Sequence, residues 1–529
     1  MPTNTPLTEN NRSKIILLTI YFCFIVILGR LFYWQIIKGQ ELRDQATSQI
    51  YKLNTIFPEQ GEILSSDGFP LSLGYTYYSL SLYKPNFQQS LPQILSEISS
   101  VEASFATENA TFLDKFNNPA QKWMDFISKF DHDQMQKLQS IPGIEFTLKQ
   151  ARLYPEKDLA INIIQSLERY YQRKISGQVG FTRSAVDGTG EDLLTHINWQ
   201  KNEIDGQNIQ TSINRQIQLL SENAIKDGVE KYQADSASII IIKPQSGEIM
   251  AMASFEASPS ATTKITNITN IFEPGSIFKP LVMAAALDTG NLDRNFICDQ
   301  CSHPRQIGQY TISNWDNELH PNSTIDDIIK NSDNIGMTYV MDKLTINKFL
   351  VYFHKLKLDQ KTGVELSGES ISPPKTYWSD IDIATAAFGQ GIAVNQLQMI
   401  QAFNTIANNG QIVNVHLNHL SPIITTPVYK NNTITQMKGI LHYAVENSPV
   451  NQFRPKDMDV CAKSGTAQVA VLGGYTDSST IGSYIGFSPC DNPKFTMIIT
   501  INNPRSSPWG SSTAAPMWFE LAQKLLPLL

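Results

Sequence analysis

The chain has 529 residues, is 41% hydrophobic and 17% charged, and carries a formal net charge of −7. That length predicts two or three domains with substantial cores. Mild acidity without any Lys/Arg-rich run argues against a nucleic-acid binder, and five cysteines are too few for a disulfide scaffold.

The N-terminal stretch "KIILLTIYFCFIVILGRLFYWQII" is apolar over 15–29 apart from Thr19, and the run resumes after Arg30 to Ile37. Its first part covers only about 22 Å as a helix, less than the roughly 30 Å of a bilayer core. The whole run is long enough, with Arg30 snorkelling and Tyr33 and Trp34 at the interface. No small-residue cleavage site follows it, so an uncleaved anchor at 15–37 behind a tail at 1–14 is expected rather than a signal peptide. Arg12 and Lys14 flank one end, Lys38 and Arg43 the other, which leaves the orientation open.

Residues 38–205 mix strand-like pieces (77–83) with polar helical ones (118–139) and hold no reactive constellation. They read as a spacer or interaction domain. From 206 the character changes. "GQNIQTSINRQIQLLSENAIKDGVEKY" starts extended and turns helical near Asn214. "ASIIIIKPQSGEIMAMAS" is two β-rich runs around a Pro-Gln-Ser-Gly turn, "GSYIGFSPCDNPKFTMIITIN" repeats that design, and "AAPMWFELAQKLL" closes the chain as a helix. The fold class expected for 206–529 is α+β, an antiparallel sheet covered by helices.

Cys298 and Cys301 form a CxxC with His303 nearby. No second ligand pair makes it a zinc site and no thioredoxin-like context makes it a redox motif, so ordinary free thiols are expected, with a local disulfide the next reading. Cys23, Cys461 and Cys490 are expected to be packing residues. Neither a metal nor a cofactor is called for.

Three short motifs carry chemistry. "EPGSIFKP" sets Ser276 three residues before Lys279, at the mouth of a helix. A serine needs a base to become a nucleophile, and residues i and i+3 share a helix face. Lys279 can be that base only when neutral, which burial, a nearby cation and the positive helix end all favour. "NSDNIGM" brings Ser332, a second hydroxyl able to relay a proton, and Asn334, a carboxamide able to hold a substrate amide. "CAKSGTAQVAV" opens a strand with Lys463, Ser464, Gly465 and Thr466. Gly465 admits a close approach to the backbone. Lys463, Ser464 and Thr466 can hold a carboxylate, and backbone N–H groups here and at Ser276 can bind an oxyanion. Lys361-Thr362-Gly363 imitates the third motif, but no long β-run follows it.

In this order and spacing the motifs resemble those of a class B penicillin-binding protein. "QTSINRQIQ", "TGVELSGES", "FGQGIAVNQLQM" and "YIGFSP" extend the likeness over nearly the whole chain, and "IPGIEFTLKQARLYP" is similar to the family's pedestal strand. The resemblance implies a transmembrane helix, an elongated mixed α/β pedestal at 38–205 and a serine β-lactamase-like transpeptidase domain at 206–529. It implies that Ser276 is acylated by a peptidoglycan stem peptide, with Lys279 as base, Ser332 as relay and Asn334 on the substrate amide. Lys463, Ser464 and Thr466 would take the terminal carboxylate, and the Ser276 and Thr466 N–H groups the oxyanion. It further implies β-lactams as covalent inhibitors and a catalytic domain outside the cytoplasmic membrane. The implied partners are a polytopic lipid II-polymerising glycosyltransferase and other division proteins. "FEPGS" and "SDN" look more like the division branch than the elongation branch. A D,D-carboxypeptidase and a non-catalytic wall scaffold are the alternatives. Two departures from the family pattern stand out: Gln60 precedes Gly61 where Arg is usual, and Ser212-Ile213-Asn214 replaces Thr-Ile-Asp.

Overall fold

A computed structural model describes residues 9–113, 118, 120–186, 192–258, 264–471 and 474–529. Residues 1–8 of the expected tail lie outside these.

The first helix, α1 (Glu9–Phe32), runs on through a π-type turn, Tyr33–Ile37, so Arg30 does not break it. Ser13–Ile37 is the only helix among the described residues long and apolar enough to cross a membrane, and its apolar side chains are exposed.

The chain divides into two compact units, 1–60 with 176–206, and 61–175 with 207–529. The segment expected to form one domain at 38–205 is therefore shared between them. In the first unit the strands Tyr51–Ile56, Gly180–Val186 and Asp192–Lys201 form an antiparallel sheet.

In the second unit one lobe is built on β1 (Pro70–Tyr83), β2 (Trp123–Phe130) and β3 (Ile144–Leu153), with β1 pairing antiparallel to both others. The helical reading of 118–139 is corrected here. "WMDFISKF" alternates buried and exposed residues with period two and is a strand, and only His132–Leu138 is helical. Met124, Phe126 and Phe130 face a small core with Phe105, Ile94 and Leu80.

The larger part holds a five-stranded antiparallel sheet. Its strands are β4 (Ser236–Ile242), β5 (Ile249–Glu256), β6 (Cys461–Val471), β7 (Gly474–Ser488) and β8 (Phe495–Asn502), in the order β5-β4-β8-β7-β6. β4 reads as unbroken isoleucine because both faces are covered. Ile240 and Ile242 enter one core, while Ile239 and Ile241 enter the other. On one face lie α2 (Arg215–Tyr232) and the C-terminal Ala514–Leu525 helix. On the other lies the larger core around α3 (Lys279–Asp288), in which nearly every side chain is buried. Asn214 caps α2 by accepting the Ile217 N–H, which an aspartate would do equally well, so that departure costs the fold nothing. At the other departure, Gly61 lies where a Cβ would run into the Gln207 backbone, and its carbonyl accepts from Arg152 Nη1 at 2.7 Å.

The thiol expectation is also corrected. Cys298 and Cys301 form a disulfide, and so do Cys461 and Cys490. The second pair is 29 residues apart in sequence, and the pairing of β6 with β7 brings its two ends together. Cys23 is free, on the exposed surface of α1.

Candidate active site

Pro274 and Gly275 lead into a tight 3₁₀ turn, Gly275–Phe278, and α3 starts at Lys279. In a 3₁₀ turn residues i and i+3 eclipse, so Ser276 stands over Lys279 more directly than in an α-helix. The turn is wedged between a loop and a strand. Gly275, at φ 56°, donates its N–H to Gly389 O of the "FGQG" segment at 3.0 Å. On the other side β6 runs against the turn, and a Cβ at Gly465 would meet Ile277 Cγ2 at 2.8 Å. Gly465 is thus needed for the approach of the serine turn itself, a closer constraint than the substrate approach expected of it.

Ser332 sits in the left-handed region at φ 56°, a conformation a serine holds only when its surroundings impose it. Behind it α4 (Asn334–Leu344) is capped by the Asp333 carboxylate, which accepts the Gly336 N–H at 2.7 Å. This turn delivers three acceptors to Lys279 Nζ: Ser332 O at 2.5 Å, Asn334 Oδ1 at 2.8 Å and Ser332 Oγ at 3.2 Å. Two of these are pure acceptors and the third is a hydroxyl that can also donate. A neutral amine has two N–H bonds and one lone pair. The carbonyl and the carboxamide oxygen take the first two, which leaves the lone pair for a hydroxyl. The three oxygens would suit an ammonium as well, so it is burial and the neighbouring Lys463 that bias Lys279 toward the amine. Lys279 is fully buried, and its pKa is held well below the ordinary lysine value, by burial first and then by the charge of Lys463, against the pull of Asp333 and Asp316.

Lys463 enters from β6 with its Nζ 3.1 Å from Ser332 Oγ and 2.8 Å from Ser464 O. Burial alone brings its pKa down to about 7. The two amines share one hydroxyl and feel each other. The charge on Lys463 adds to burial in lowering the Lys279 pKa.

Ser276, Ser332, Lys463, Ser464, Gly465 and Thr466 line one cleft, and Lys279 and Asn334 meet beneath it. All eight residues singled out by the three motifs are thus brought together. The structure adds residues that the sequence did not point to. Trp315 and Trp509 meet edge to face at 4.9 Å on the cleft wall. Asn314 Oδ1 accepts the N–H groups of Asn334 and Ile335 at 2.8 and 3.2 Å. Gly510 N–H donates to Thr466 Oγ1 at 3.0 Å. Only proximity in space identifies these. Lys361 does not line the cleft. It is exposed on a loop organised by the buried Glu369, which accepts the Thr362 N–H at 2.9 Å, and by Glu365, which accepts the Leu417 N–H at 2.8 Å.

Residues 237–523, more than half of the chain, match the family described as the penicillin binding protein transpeptidase domain. The chain belongs to that family. Among similar proteins, stage V sporulation protein D of Bacillus subtilis is 25% identical, over 99% of this chain and 86% of its own length. The peptidoglycan D,D-transpeptidase FtsI of Buchnera aphidicola subsp. Schizaphis graminum is 25% identical, over 98% of this chain and 95% of its own. Penicillin binding protein 2X from Streptococcus thermophilus shares the fold at a TM-score of 0.70 and 20% identity, covering 90% of this chain and 80% of that one. The matched segment contains the serine turn, the Ser332 turn and β6, so every residue of the cleft named above lies in the penicillin-binding part of the chain.

Proposed function

We propose that this protein is a membrane-anchored, serine-type peptidoglycan D,D-transpeptidase working through a Ser276 acyl-enzyme. The observation that carries the reading is the Lys279 amine, fully buried three residues after Ser276 in the same tight turn and in contact with Ser332 and Asn334.

Lys279 takes the proton as Ser276 Oγ attacks the carbonyl of the penultimate D-alanine of a stem peptide. The oxyanion is held by the Ser276 and Thr466 N–H groups. Collapse breaks the D-Ala–D-Ala bond, and Ser332, in reach of both lysines, passes a proton to the leaving amine. Lys463, Ser464 and Thr466 hold the departing residue's carboxylate, and Asn334 the peptide amide. The acceptor amine of a second stem then attacks the ester, its proton returns by the same route, and Ser276 is released. A β-lactam enters as the donor does and stays as a stable ester.

The apolar helix supports an anchor at 15–37, and the family resemblance is what puts 38–529 outside the cytoplasm in this reading. In this reading 38–205 is the pedestal and 206–529 the transpeptidase domain. A glycosyltransferase and other division proteins dock on the anchor and pedestal, and the role is septal, in keeping with the FtsI relative. Protease added to intact spheroplasts should digest an epitope placed after Leu529. Protection until lysis would reverse the orientation.

The decisive experiment labels the detergent-solubilised full chain with a fluorescent penicillin and maps the adduct by mass spectrometry. An adduct on Ser276, absent from Ser276→Ala, is expected. With a synthetic stem pentapeptide and an amine acceptor, an amide product is expected over hydrolysis. Hydrolysis alone would make the protein a D,D-carboxypeptidase.

A further inference from the structure

Beside the cleft, the Asp333 carboxylate is fully buried in the same turn that presents Ser332 and Asn334 to Lys279. One of its oxygens caps α4 through Gly336 N–H. The other faces His320 Nδ1 at 3.2 Å, and His320 comes from the irregular segment ahead of the turn. The tautomer follows from the neighbours. Asn314 Oδ1 is engaged by two backbone N–H groups, so its Nδ2 points away from them, to Glu318 O at 2.9 Å and to His320 Nδ1 at 3.3 Å. Of the two Asn314 amide hydrogens one goes to Glu318 O, and the longer His320 contact is the weaker of the pair, whereas the Asp333 carboxylate at 3.2 Å can only accept. His320 Nδ1 therefore carries the hydrogen and donates it to Asp333.

We propose that His320 is a positioning residue of the acyl-transfer centre: by occupying the second oxygen of Asp333 it keeps that carboxylate from holding the proton on Lys279. The argument rests on the acyl-enzyme reading of Ser276. A buried carboxylate with an uncompensated charge stabilises the nearest cation. The charged groups that face Lys279 are Lys463 from β6, Asp333 from the turn, and Asp316 from the segment that also carries His320. Two of these three are acids and oppose the neutral amine. His320 is the group that spends the charge of one of them locally. When Lys279 gives up its proton, Asp333 does not become an orphaned charge, because the imidazole N–H remains on it.

The test is the pH profile of penicillin acylation by the full chain for wild type, His320→Ala, His320→Gln and Asp333→Asn, with melting temperature as the folding control. Losing His320 should raise the Lys279 pKa. His320→Ala therefore shifts the rising limb to higher pH by about one unit, roughly a tenfold loss of rate at a fixed pH on that limb. Asp333→Asn keeps the cap on α4 but removes the charge, so it shifts the limb the opposite way. His320→Gln, whose amide can donate to Asp333, should return the limb to within about 0.3 unit of wild type, about a twofold change in rate. A uniform loss at every pH, an unmoved limb, or shifts of the same sign in His320→Ala and Asp333→Asn overturn the proposal. If His320→Ala does not fold, the Asp333→Asn arm decides, since no downward shift there means Asp333 does not hold the proton. A wild-type chain that takes no label on Ser276 fails the acyl-enzyme reading instead, whatever these variants do.

Discussion

Two strands of this protein treat a lysine in opposite ways. In β2, "WMDFISKF" alternates outward and inward along its length, and Lys129 points out, its Nζ 2.7 Å from the Tyr75 hydroxyl. In β6, "CAKSGTAQVAV" places Lys463 inward with only 4% of its surface exposed. The lobe strand obeys the pattern that folding alone requires. The cleft strand breaks it, and the break coincides with a second buried lysine and a left-handed serine. Local rules fail where a site needs a group that the core would otherwise reject.

Removing the chemistry from the cleft should have the largest effect. Ser276→Ala should abolish penicillin acylation. Lys279→Arg, which cannot deprotonate, should lose roughly 10²–10⁴ in acylation rate, and its buried permanent charge should also lower the melting temperature, so the rate is read on the fraction that remains folded. The double variant should be little worse than either single one, because nucleophile and base act as a unit. An arginine variant that acylates at the wild-type rate would dissolve the distinction between the two strands.

The lobe should show the reverse. Phe105 is fully buried among Phe126 and Phe130, so Phe105→Ala should cost about 3–5 kcal/mol in denaturant unfolding. Acylation by the protein that remains folded should stay within about twofold, because Phe105 belongs to a core of its own and does not line the cleft. A large loss of acylation without unfolding would make the lobe part of the catalytic machinery.

Within the cleft's own vocabulary, Lys463→Ala should cost on the order of 10²–10³ in acylation rate, the usual loss when one electrostatic donor is taken away. Lys361→Ala, on its exposed loop, should change the rate little. Equal effects would mean that burial on β6 does not distinguish the two lysines.

The smallest effect is in the pH profile. The second-order acylation rate should rise as Lys279 loses its proton and fall as Lys463 loses its charge near pH 7. A ligand carboxylate on Lys463 favours the ammonium, so at saturating ligand the falling limb should move to higher pH. A rate that climbs without a maximum to pH 10 would show that Lys463 does not act as a cation.

Much of the site was legible in the chain because its motifs are local. Ser276 and Lys279 belong to one turn, Ser332 and Asn334 to another, and Lys463 to Thr466 to one strand, so each cluster is written in consecutive residues. The strands of the sheet were legible for a similar reason, as β-branched runs around turns. The strand at 123–130 was misread because its alternation is masked by the polar text on either side. The Cys461–Cys490 bond was not legible, since nothing in sequence ties two cysteines on either side of a long hairpin.

By itself the sequence determined that the chain has an apolar N-terminal helix, an α+β catalytic part and three polar motifs of matched chemistry. It could do so because periodicity and short-range spacing are properties of neighbouring residues. Only the tertiary structure decided that Lys279 would be fully buried with its pKa pushed well below the ordinary lysine value, that Gly465 must lack a side chain, and that Asn314, His320 and Asp333 stand behind the Ser332 turn. Those facts depend on burial and on partners from distant segments, which exist only once the sheet has brought β6 against the serine turn.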